Sequence, residues 1–415
     1  MLKKIGFNSW SRASAILTLV LLATNAPSWA QETVLHTFDD TDGNEPIASL
    51  ISDASGNLYG TTFYGGANGV GTVYELKRST SGSWTEKVLH SFNIDGSDGY
   101  FTTAGLTFDG AGNLYGTTFF GGTSDRGTVF ELSPVAGGGW TEKVLHSFLD
   151  DSTDGGFPRA AVTIDAAGDL FGTTTNGGPN DYGVVYQLTP AANGNWTETV
   201  LHNFSSTDGA NPFGRLLLDS AGNLYGTTSA GGGSTARCKY GCGTVFELKK
   251  NAGGTWVEKI LHNFTVSSND GTFPYGPVIL DRAGNLYGTT NGGGAGNNGT
   301  VFELVQSKGW KEKQLHTFNA SGDGVYPTPA VVLDATGNLY GTTQSGGAFS
   351  QGTVFKLSPT INGPWSETII YSFDPSGAGG YDPAQGLTID SAGHIYGTVI
   401  SGGTFGDGTA FEITP

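Results

Sequence analysis

Short segments in which hydrophobic and polar residues alternate recur along the whole chain at intervals of 53 to 62 residues. The most regular segment is GNLYGTT, with the variants GDLFGTT and GHIYGTV. Its seven copies begin at Gly56, Gly112, Gly168, Gly222, Gly284, Gly337 and Gly393. Alternation of this kind, bounded by Gly, Asp and Pro, is typical of β-strands. A supersecondary unit that returns at a nearly fixed period predicts a repeat architecture.

One complete unit, the second copy, contains four such segments. Strand A is predicted at Gly105–Phe108, strand B at Asn113–Thr118, strand C at Gly127–Leu132 and strand D at Trp140–Phe148. The connections between them are rich in residues that favour turns. Four antiparallel strands repeated seven times predict an all-β fold, a seven-bladed β-propeller.

The two ends of the chain carry complementary parts of one unit. Glu32–Phe38 has the sequence of a strand D, and Gly408–Thr414 has that of a strand C. The last unit therefore lacks its own strand D, and we expect the N-terminal strand to complete it in a 3+1 closure of the ring. Such a closure leaves no open sheet edge. Residues 31–415 are thus expected to form a single propeller domain.

Residues 1–30 have the pattern of a secretory signal peptide. Three basic residues precede the apolar stretch Ala13–Ala23, which is too short to span a bilayer. Small residues at Ser28 and Ala30 favour cleavage before Gln31. Export is therefore expected, to the extracellular space or, in a cell with an outer membrane, to the periplasm. No later apolar segment is long enough to be a membrane span.

The composition is acidic and rich in glycine. The 415 residues include 37 acidic and 20 basic ones, a net charge of −17, and 68 glycines. Nucleic acids and anionic membranes are not expected partners, because both are bound through basic surfaces. Cations, neutral glycans and basic proteins remain as candidate ligands, and solubility alone also explains the charge. We expect a monomer.

The two cysteines, Cys238 and Cys242, lie in the segment CKYGC. In an exported protein a disulfide between them is chemically reasonable. A zinc site is the alternative, but it needs further Cys or His ligands, and none is close in sequence. The disulfide is favoured, as a local loop staple.

Residues that recur in nearly every unit are expected to be structural. An Asp ends each strand A, where its side chain can accept backbone N–H groups of the A–B turn. A histidine recurs in strand D, and its copies are spread around the ring as packing or hydrogen-bonding groups. The Asp residues are Asp53, Asp109, Asp165, Asp219, Asp281, Asp334 and Asp390. The histidines are His36, His90, His146, His202, His262 and His316.

The D–A connections contain a recurring Asp-Gly, and the first of them carries extra carboxylates. These lie at Asp39, Asp40 and Asp42. Oxygen clusters of this kind can hold Ca²⁺, which takes six to eight oxygen ligands. Calcium at Asp39, Asp40 and Asp42 is therefore one hypothesis, and plain Asp-Gly turns are the favoured alternative. No other cofactor is expected.

Residues that differ between units are the candidates for function, because a single central site should break the repetition. The variable D–A and B–C loops emerge on one face, where loops on a rigid scaffold can bind ligands. Arginine and aromatic residues around a concave channel suit an anionic or sugar-like ligand. Ordinary loop variation is the alternative. The candidate ligand-binding residues are Arg159, Arg215, Tyr275 and Gln385 near the axis, with Arg126 and Tyr182 from the B–C loops.

The recurring segments GNLYGTT, GTVFEL and VLHSF together carry a family resemblance. They resemble the GloVer (Gloeo_Verruco) tandem-repeat family of exported bacterial proteins, over nearly the whole of residues 31–415. The last unit departs most, with GTV and GTAFEI. The resemblance implies export, and often a variable C-terminal surface anchor. It implies no enzyme activity. No anchor sequence follows the last strand here, so attachment to a cell surface is not expected.

The sequence contains no GxSxG, HExxH or phosphate-loop motif, so no catalytic residue is predicted. The first functional interpretation is a secreted binding or interaction scaffold for a glycan or a protein. The second is an enzyme acting on a polysaccharide or a lactone, as a lyase or a hydrolase. The third is a structural envelope or matrix protein. Fold alone does not decide between these classes.

Overall fold

The computed structural model describes residues 30–414, except 193, 234–237, 268–269, 320–321, 362 and 384. The predicted signal peptide, residues 1–30, therefore lies almost wholly outside the described residues. Seven antiparallel sheets of four main strands are arranged in a ring, which confirms the seven-bladed β-propeller. No helix within the described residues has the length and hydropathy needed to cross a membrane.

Blades are numbered 1 to 7 in chain order, and strands A to D run from the axis outward. The A strands are Ile51–Ser52, Thr107–Phe108, Thr163–Ile164, Leu217–Leu218, Ile279–Leu280, Val332–Leu333 and Thr388–Ile389. The B strands are Leu58–Thr62, Leu114–Thr118, Leu170–Thr174, Leu224–Thr228, Leu286–Thr290, Leu339–Gly346 and Ile395–Ser401.

The C strands are Thr72–Arg78, Thr128–Val135, Val184–Pro190, Thr244–Lys250, Thr300–Val305, Thr353–Ser358 and Thr409–Thr414. The D strands of blades 1 to 6 are Trp84–Ser91, Gly139–Ser147, Trp196–Asn203, Trp256–Asn263, Lys311–Thr317 and Ser366–Ser372. The D–A and B–C connections add the short strands Gly99–Tyr100, Phe120–Gly121, Gly155–Gly156, Asn176–Gly177, Gly271–Thr272, Gly292–Gly293, Gly324–Pro327 and Tyr381–Pro383, and a 3₁₀ helix occupies Gln306–Lys308.

The N-terminal strand closes the ring as predicted. Gln31–Thr37 is strand D of blade 7 and pairs antiparallel with Thr409–Thr414, with Val34 opposite Phe411. In blade 2, strand A begins two residues later than predicted, at Thr107. Gly105 and Leu106 instead line the central cavity, where they do not pair with strand B.

The hydrophobic core lies between neighbouring blades. Phe130 of strand C in blade 2 is fully buried, and its ring lies edge-on to that of Phe92, from the end of blade 1, with centroids 5.2 Å apart. The facing residue in strand B is Gly116, where a Cβ atom would lie 2.5 Å from the ring of Phe130. The glycine of GNLYGTT is therefore required by this close approach, and the aromatic residue of strand C fills the space that the missing side chain leaves.

The Asp that ends strand A holds the A–B turn, as predicted. In blade 2, Asp109 Oδ1 accepts hydrogen bonds from the backbone N–H groups of Ala111 and Asn113, at 2.8 and 2.9 Å. The next glycine, Gly112, has φ 88°, in the left-handed region that glycine adopts readily. This explains why the sequence of this turn is nearly uniform.

The boundary between two blades, which we call a seam, carries a charged cluster in addition to its apolar core. In the seam between blades 1 and 2, His90 Nε2 lies 3.0 Å from Asp98 Oδ2, and Glu142 of the next strand D faces both. This confirms the histidines as hydrogen-bonding groups spread around the ring. The glutamate was not singled out from the sequence. The six clusters are His36–Asp42–Glu86, His90–Asp98–Glu142, His146–Asp154–Glu198, His202–Asp208–Glu258, His262–Asp270–Glu312 and His316–Asp323–Glu367.

Burial raises the pKa of each of these six glutamates to about 7. One oxygen of each, Oε1, is buried without a hydrogen-bond partner among the described residues. The seventh seam, between blades 6 and 7, differs. There Tyr371 replaces the histidine and donates its hydroxyl hydrogen bond to Glu32 Oε2, at 2.7 Å.

Candidate functional site

A cavity of about 760 Å³ lies on the axis of the ring. Its wall is formed by strand A and the residues just before it in blades 1 to 6, together with Gln385 of blade 7. Antiparallel strand order places the variable D–A and B–C connections at one end of the blades and the A–B turns at the other. A volume of this size is typical of small-molecule binding sites, which span roughly 300–1,000 Å³.

Arg159, Phe213 and Tyr275, from three successive blades, line one side of the cavity, and Phe119 of the blade before them stacks on Arg159. We call these four residues the aromatic belt. The guanidinium carbon of Arg159 lies 4.1 Å from the ring centroid of Phe119 and 5.2 Å from that of Phe213. Phe213 packs edge-on against Tyr275, with centroids 5.2 Å apart. Stacking on two rings holds the planar guanidinium in place while leaving its N–H donors for other partners.

Arg215 adds a second positive charge beside this belt. Its Nε donates a hydrogen bond to Thr163 Oγ1 at 3.1 Å. Both Arg159 and Arg215 are half-buried, and burial lowers the pKa of each guanidinium from its usual value. Arginine nevertheless stays protonated in proteins. In the described part of the chain, no carboxylate lies within 4.0 Å of either guanidinium, so both charges lack an acidic partner.

The opposite side of the cavity carries polar side chains without charge. Ser49, Thr328, Gln344 and Gln385 supply hydroxyl and amide groups there. The described lining residues include no Asp, Glu, Lys, His or Cys. One carboxyl group, Asp382, touches this wall from outside through a hydrogen bond with Gln344, and burial raises its pKa. The cavity lining is therefore positively charged in a protein whose net charge is −17.

Seven residues with left-handed backbone conformation lie just before the cavity wall in the chain, at the end of the blades that carries the D–A connections, and we call this ring the mouth of the cavity. Each occupies the same place in its D–A connection, and their φ angles lie between 51° and 66°. The N–H of each donates a hydrogen bond to a carbonyl of the preceding blade, as from Phe157 to Arg126 at 2.7 Å. The seven are Glu45, Phe101, Phe157, Asn211, Phe273, Tyr326 and Asp382.

An aromatic residue is unusual at positive φ, which is sterically costly for bulky side chains. Phe101 nevertheless stacks on Phe63 with ring centroids 4.8 Å apart, and Phe157 contacts Phe119 at 5.3 Å. These rings connect the mouth to the aromatic belt. The sequence carried a signal for this ring of residues, because they recur at the blade period between the Asp-Gly and strand A. Their residue types differ between blades, however, so the sequence alone did not indicate their left-handed conformation.

Four of the six predicted binding residues line the cavity: Arg159, Arg215, Tyr275 and Gln385. The other two lie outside its lining. Arg126 pairs with Asp150 at 3.4 Å, and Tyr182 packs against the hydrophobic core between blades 3 and 4. Their part in ligand binding stays a prediction.

The three carboxylates predicted to hold calcium are engaged in their own turn. Asp39 Oδ1 accepts the N–H of Thr41 at 2.8 Å, and Asp40 Oδ1 accepts the side-chain N–H of Asn44 at 2.8 Å. Asp42 Oδ2 lies 2.9 Å from His36 Nε2. These bonds are those of an Asp-rich turn, and calcium at Asp39, Asp40 and Asp42 stays a prediction.

Cys238 and Cys242 form a disulfide in the B–C loop of blade 4, with Cα atoms 5.2 Å apart. The carbonyl of Cys242 accepts the N–H of Phe273, a residue of the ring around the mouth, at 2.8 Å. The disulfide therefore restrains a loop that is hydrogen-bonded to the ring of residues at the cavity mouth.

Comparisons with known proteins agree with the fold. The sequence matches the family described as the Gloeobacter/Verrucomicrobia repeat over residues 22–237 and 235–415. The comparison with curated proteins finds no match.

Two solved structures show the same architecture at low sequence identity. A provisionally named 6-phosphogluconolactonase from Bacteroides uniformis is 13% identical, with a TM-score of 0.52, over 83% of this chain and 88% of that one. The extracellular domain of a provisionally named hybrid two-component system from B. thetaiotaomicron is 11% identical, with a TM-score of 0.52, over 92% of this chain and 39% of that one. Likeness at this level concerns the fold alone.

Proposed function

The chain belongs to the Gloeobacter/Verrucomicrobia repeat family, and from the chemistry of its central cavity we propose that it is an exported binding protein for an anionic organic ligand. One observation carries this proposal. Arg159 and Arg215 are held half-buried in a concave site without an acidic partner among the described residues. Desolvating a charge without pairing it is unfavourable, so a site that retains two such charges is suited to a ligand that supplies the missing anion.

The belt narrows the class of ligand. Guanidinium groups bind carboxylates, phosphates and sulfates with good geometry, and aromatic rings pack on the apolar faces of sugars and other rings. The uncharged wall near Thr328 and Gln385 offers partners for hydroxyl groups. An acidic sugar, such as a uronic acid at the end of a glycan, combines these three properties. It also fits the secreted glycan-binding scaffold expected from the sequence.

The residue types of the cavity lining favour a binding function over hydrolysis. General acid–base catalysis needs a group that gains and loses a proton near the working pH. The lining of the cavity, as far as it is described, contains no His, Asp, Glu, Lys or Cys. The names lactonase and two-component system belong to the proteins compared above, and at 13% and 11% identity neither is carried over.

The proposal is tested on the mature chain, residues 31–415, by calorimetric titration with galacturonate and glucuronate oligomers, the matching neutral oligomers, and inorganic sulfate. Acidic oligomers are expected to bind at least tenfold more tightly than neutral ones. Arg159→Gln and Arg215→Gln should each weaken binding by about tenfold or more, since a charge-assisted hydrogen bond contributes roughly 1.5–3 kcal/mol.

Arg282→Gln is the matched control. Arg282 is exposed in the A–B turn of blade 5, at the other end of the blade, so the same loss of charge there should leave binding unchanged. Equal binding of neutral and acidic oligomers would contradict the proposal, as would an Arg282→Gln effect as large as that of Arg215→Gln. Release of shortened products during the titration would favour the enzyme interpretation instead.

Export is part of the proposal and rests on the signal-peptide pattern of residues 1–30. Expression of the full chain in a bacterium should yield a processed protein outside the cytoplasm whose N-terminus is Gln31. An unprocessed chain that stays in the cytoplasm would contradict it.

A further inference from the structure

The seam between blades 5 and 6 brings three metal-binding groups together away from the cavity. His316 comes from strand D of blade 5, Asp323 from the D–A connection that follows, and Glu367 from strand D of blade 6. His316 Nε2 lies 3.3 Å from Asp323 Oδ2 and 3.7 Å from Glu367 Oε1. One donor atom from each residue lies within 4.8 Å of the other two. None of the three residues lines the central cavity.

The glutamate is the least satisfied member of this cluster. Its Oε1 atom is buried and accepts no N–H hydrogen bond from the described residues, and its carboxyl group lies against that of Asp323. A buried carboxylate oxygen normally has a partner, so each exception calls for an explanation. The side chains of His316, Asp323 and Glu367 keep 17%, 8% and 17% of their exposure. An ion with one or two waters can therefore reach them from solvent.

The seam between blades 7 and 1 repeats this arrangement. One donor atom each from His36, Asp42 and Glu86 again lies within 4.8 Å of the other two. Glu86 Oε1 is likewise buried without a partner in the described part of the chain. The other four His–Asp–Glu seams contain the same residue types, but no such compact group occurs in them among the described residues.

We propose that these two seams each bind one divalent transition-metal ion, with zinc favoured by the donor set. One imidazole nitrogen and two carboxylate oxygens form a three-ligand site that leaves a fourth position for water, an arrangement that Zn²⁺ accepts. Calcium is disfavoured, because it requires six to eight oxygen ligands. A divalent ion also offsets the two negative charges that each cluster places together. Because the three ligands come from two blades, the ion would link neighbouring blades.

The test uses the mature chain without a histidine tag, freed of metal by a chelator and then dialysed. Titration with Co²⁺ is expected to reach two ions per chain and to produce the visible absorption of low-coordinate cobalt. Zn²⁺ should displace the cobalt and raise the melting temperature, because a ligand that binds only the folded state stabilises it. Glu367→Gln and Glu86→Gln should each remove one ion, lowering the stoichiometry to one, and the double variant should bind none.

Glu142→Gln provides the matched control, because it makes the same change in a seam without a compact donor group. It should keep two ions per chain. The glutamine variants preserve side-chain volume and remove a buried carboxyl group, so they are expected to fold, which circular dichroism would verify. The proposal would be overturned if cobalt failed to bind. Binding that persisted in the double variant, or that fell equally in Glu142→Gln, would overturn it as well. Loss of anion binding in the cavity is a separate result and does not bear on the seams.

Discussion

The seams and the central cavity are built from the same seven repeats. The residue types at the seams are nearly the same in every blade, whereas those along the cavity differ from blade to blade. Six seams carry the same His–Asp–Glu set, and every blade places a glycine of strand B against an aromatic ring of strand C. Along the cavity the blades disagree, with Arg159, Phe213 and Tyr275 on one side and Thr328 and Gln385 on the other.

This difference separates the positions that pack one blade against the next from the positions that line the cavity. A position that recurs in every blade meets the same neighbours seven times, so one residue type satisfies all of them. On the axis the blades face one another across a cavity of about 760 Å³, which the surrounding residues line without filling. Two unpaired arginines there do not help a blade fold, because a desolvated charge without a partner is unfavourable. Under the proposed function, a ligand supplies the missing anion.

The largest effect is expected from two phenylalanine substitutions, one between two blades and one in the cavity wall. Phe130 is fully buried between blades 1 and 2, so Phe130→Ala should lower the free energy of unfolding by about 3–5 kcal/mol. Phe213 lies half-buried in the cavity wall, so Phe213→Ala should lower it by less than about 1 kcal/mol but weaken binding of an acidic glycan. Denaturant unfolding and calorimetry measure the two effects. Equal losses of stability would show that the belt is structural.

The glutamates of the seams make stability depend on pH. The pKa of Glu142 in the fold, about 7, lies above the ordinary value of 4.5 because of burial, and Asp98, His90 and Asp95 are the charged groups that act on it. Its contribution to stability is therefore complete below pH 4.5 and is lost as the pH rises through 7. Glu142→Gln should match the parent at pH 4 and exceed its unfolding free energy by about 1 kcal/mol at pH 8.5, after allowance for solvent screening. A constant difference between the two at all pH values would contradict this assignment.

The smallest effect is expected from the cavity arginines on stability alone. Arg215→Met keeps the length of the side chain and removes an unpaired charge, so it should leave the melting temperature unchanged or raise it by the equivalent of up to about 1 kcal/mol. Arg126→Met breaks a partly exposed ion pair with Asp150 and should lower it slightly. Thermal unfolding without ligand distinguishes the two. A larger loss in Arg215→Met than in Arg126→Met would make Arg215 a structural residue.

Repetition made most of the fold predictable. The seven copies of GNLYGTT located every strand B. The incomplete first and last units predicted that Glu32–Phe38 pairs with Gly408–Thr414, and the observed strands differ from these bounds by one residue. Comparison of the units also singled out Arg159 and Arg215, because most residues at the corresponding positions of the other blades are small. The same comparison did not single out Glu142, because its partners His90 and Asp98 come from the neighbouring blade and are distant in sequence.

The cavity was harder to predict, because its geometry depends on contacts between blades. Arg126 and Tyr182 share the residue types of the axial candidates, yet an ion pair with Asp150 and core packing, respectively, place them outside the cavity lining. Phe119 follows strand B in blade 2, and nothing in its own unit indicates that it stacks on an arginine from blade 3. Sequence spacing within a unit does not report such distances across the axis.

The closing strand also determines when, during synthesis, the ring can be completed. Gln31–Thr37 is made long before its partner, Thr409–Thr414. At a typical rate of about 5–20 residues per second, the first strand waits roughly 20–75 seconds for its partner. During that interval Gln31–Thr37 has no strand C to pair with. The ring therefore cannot close before Thr409–Thr414 has been made.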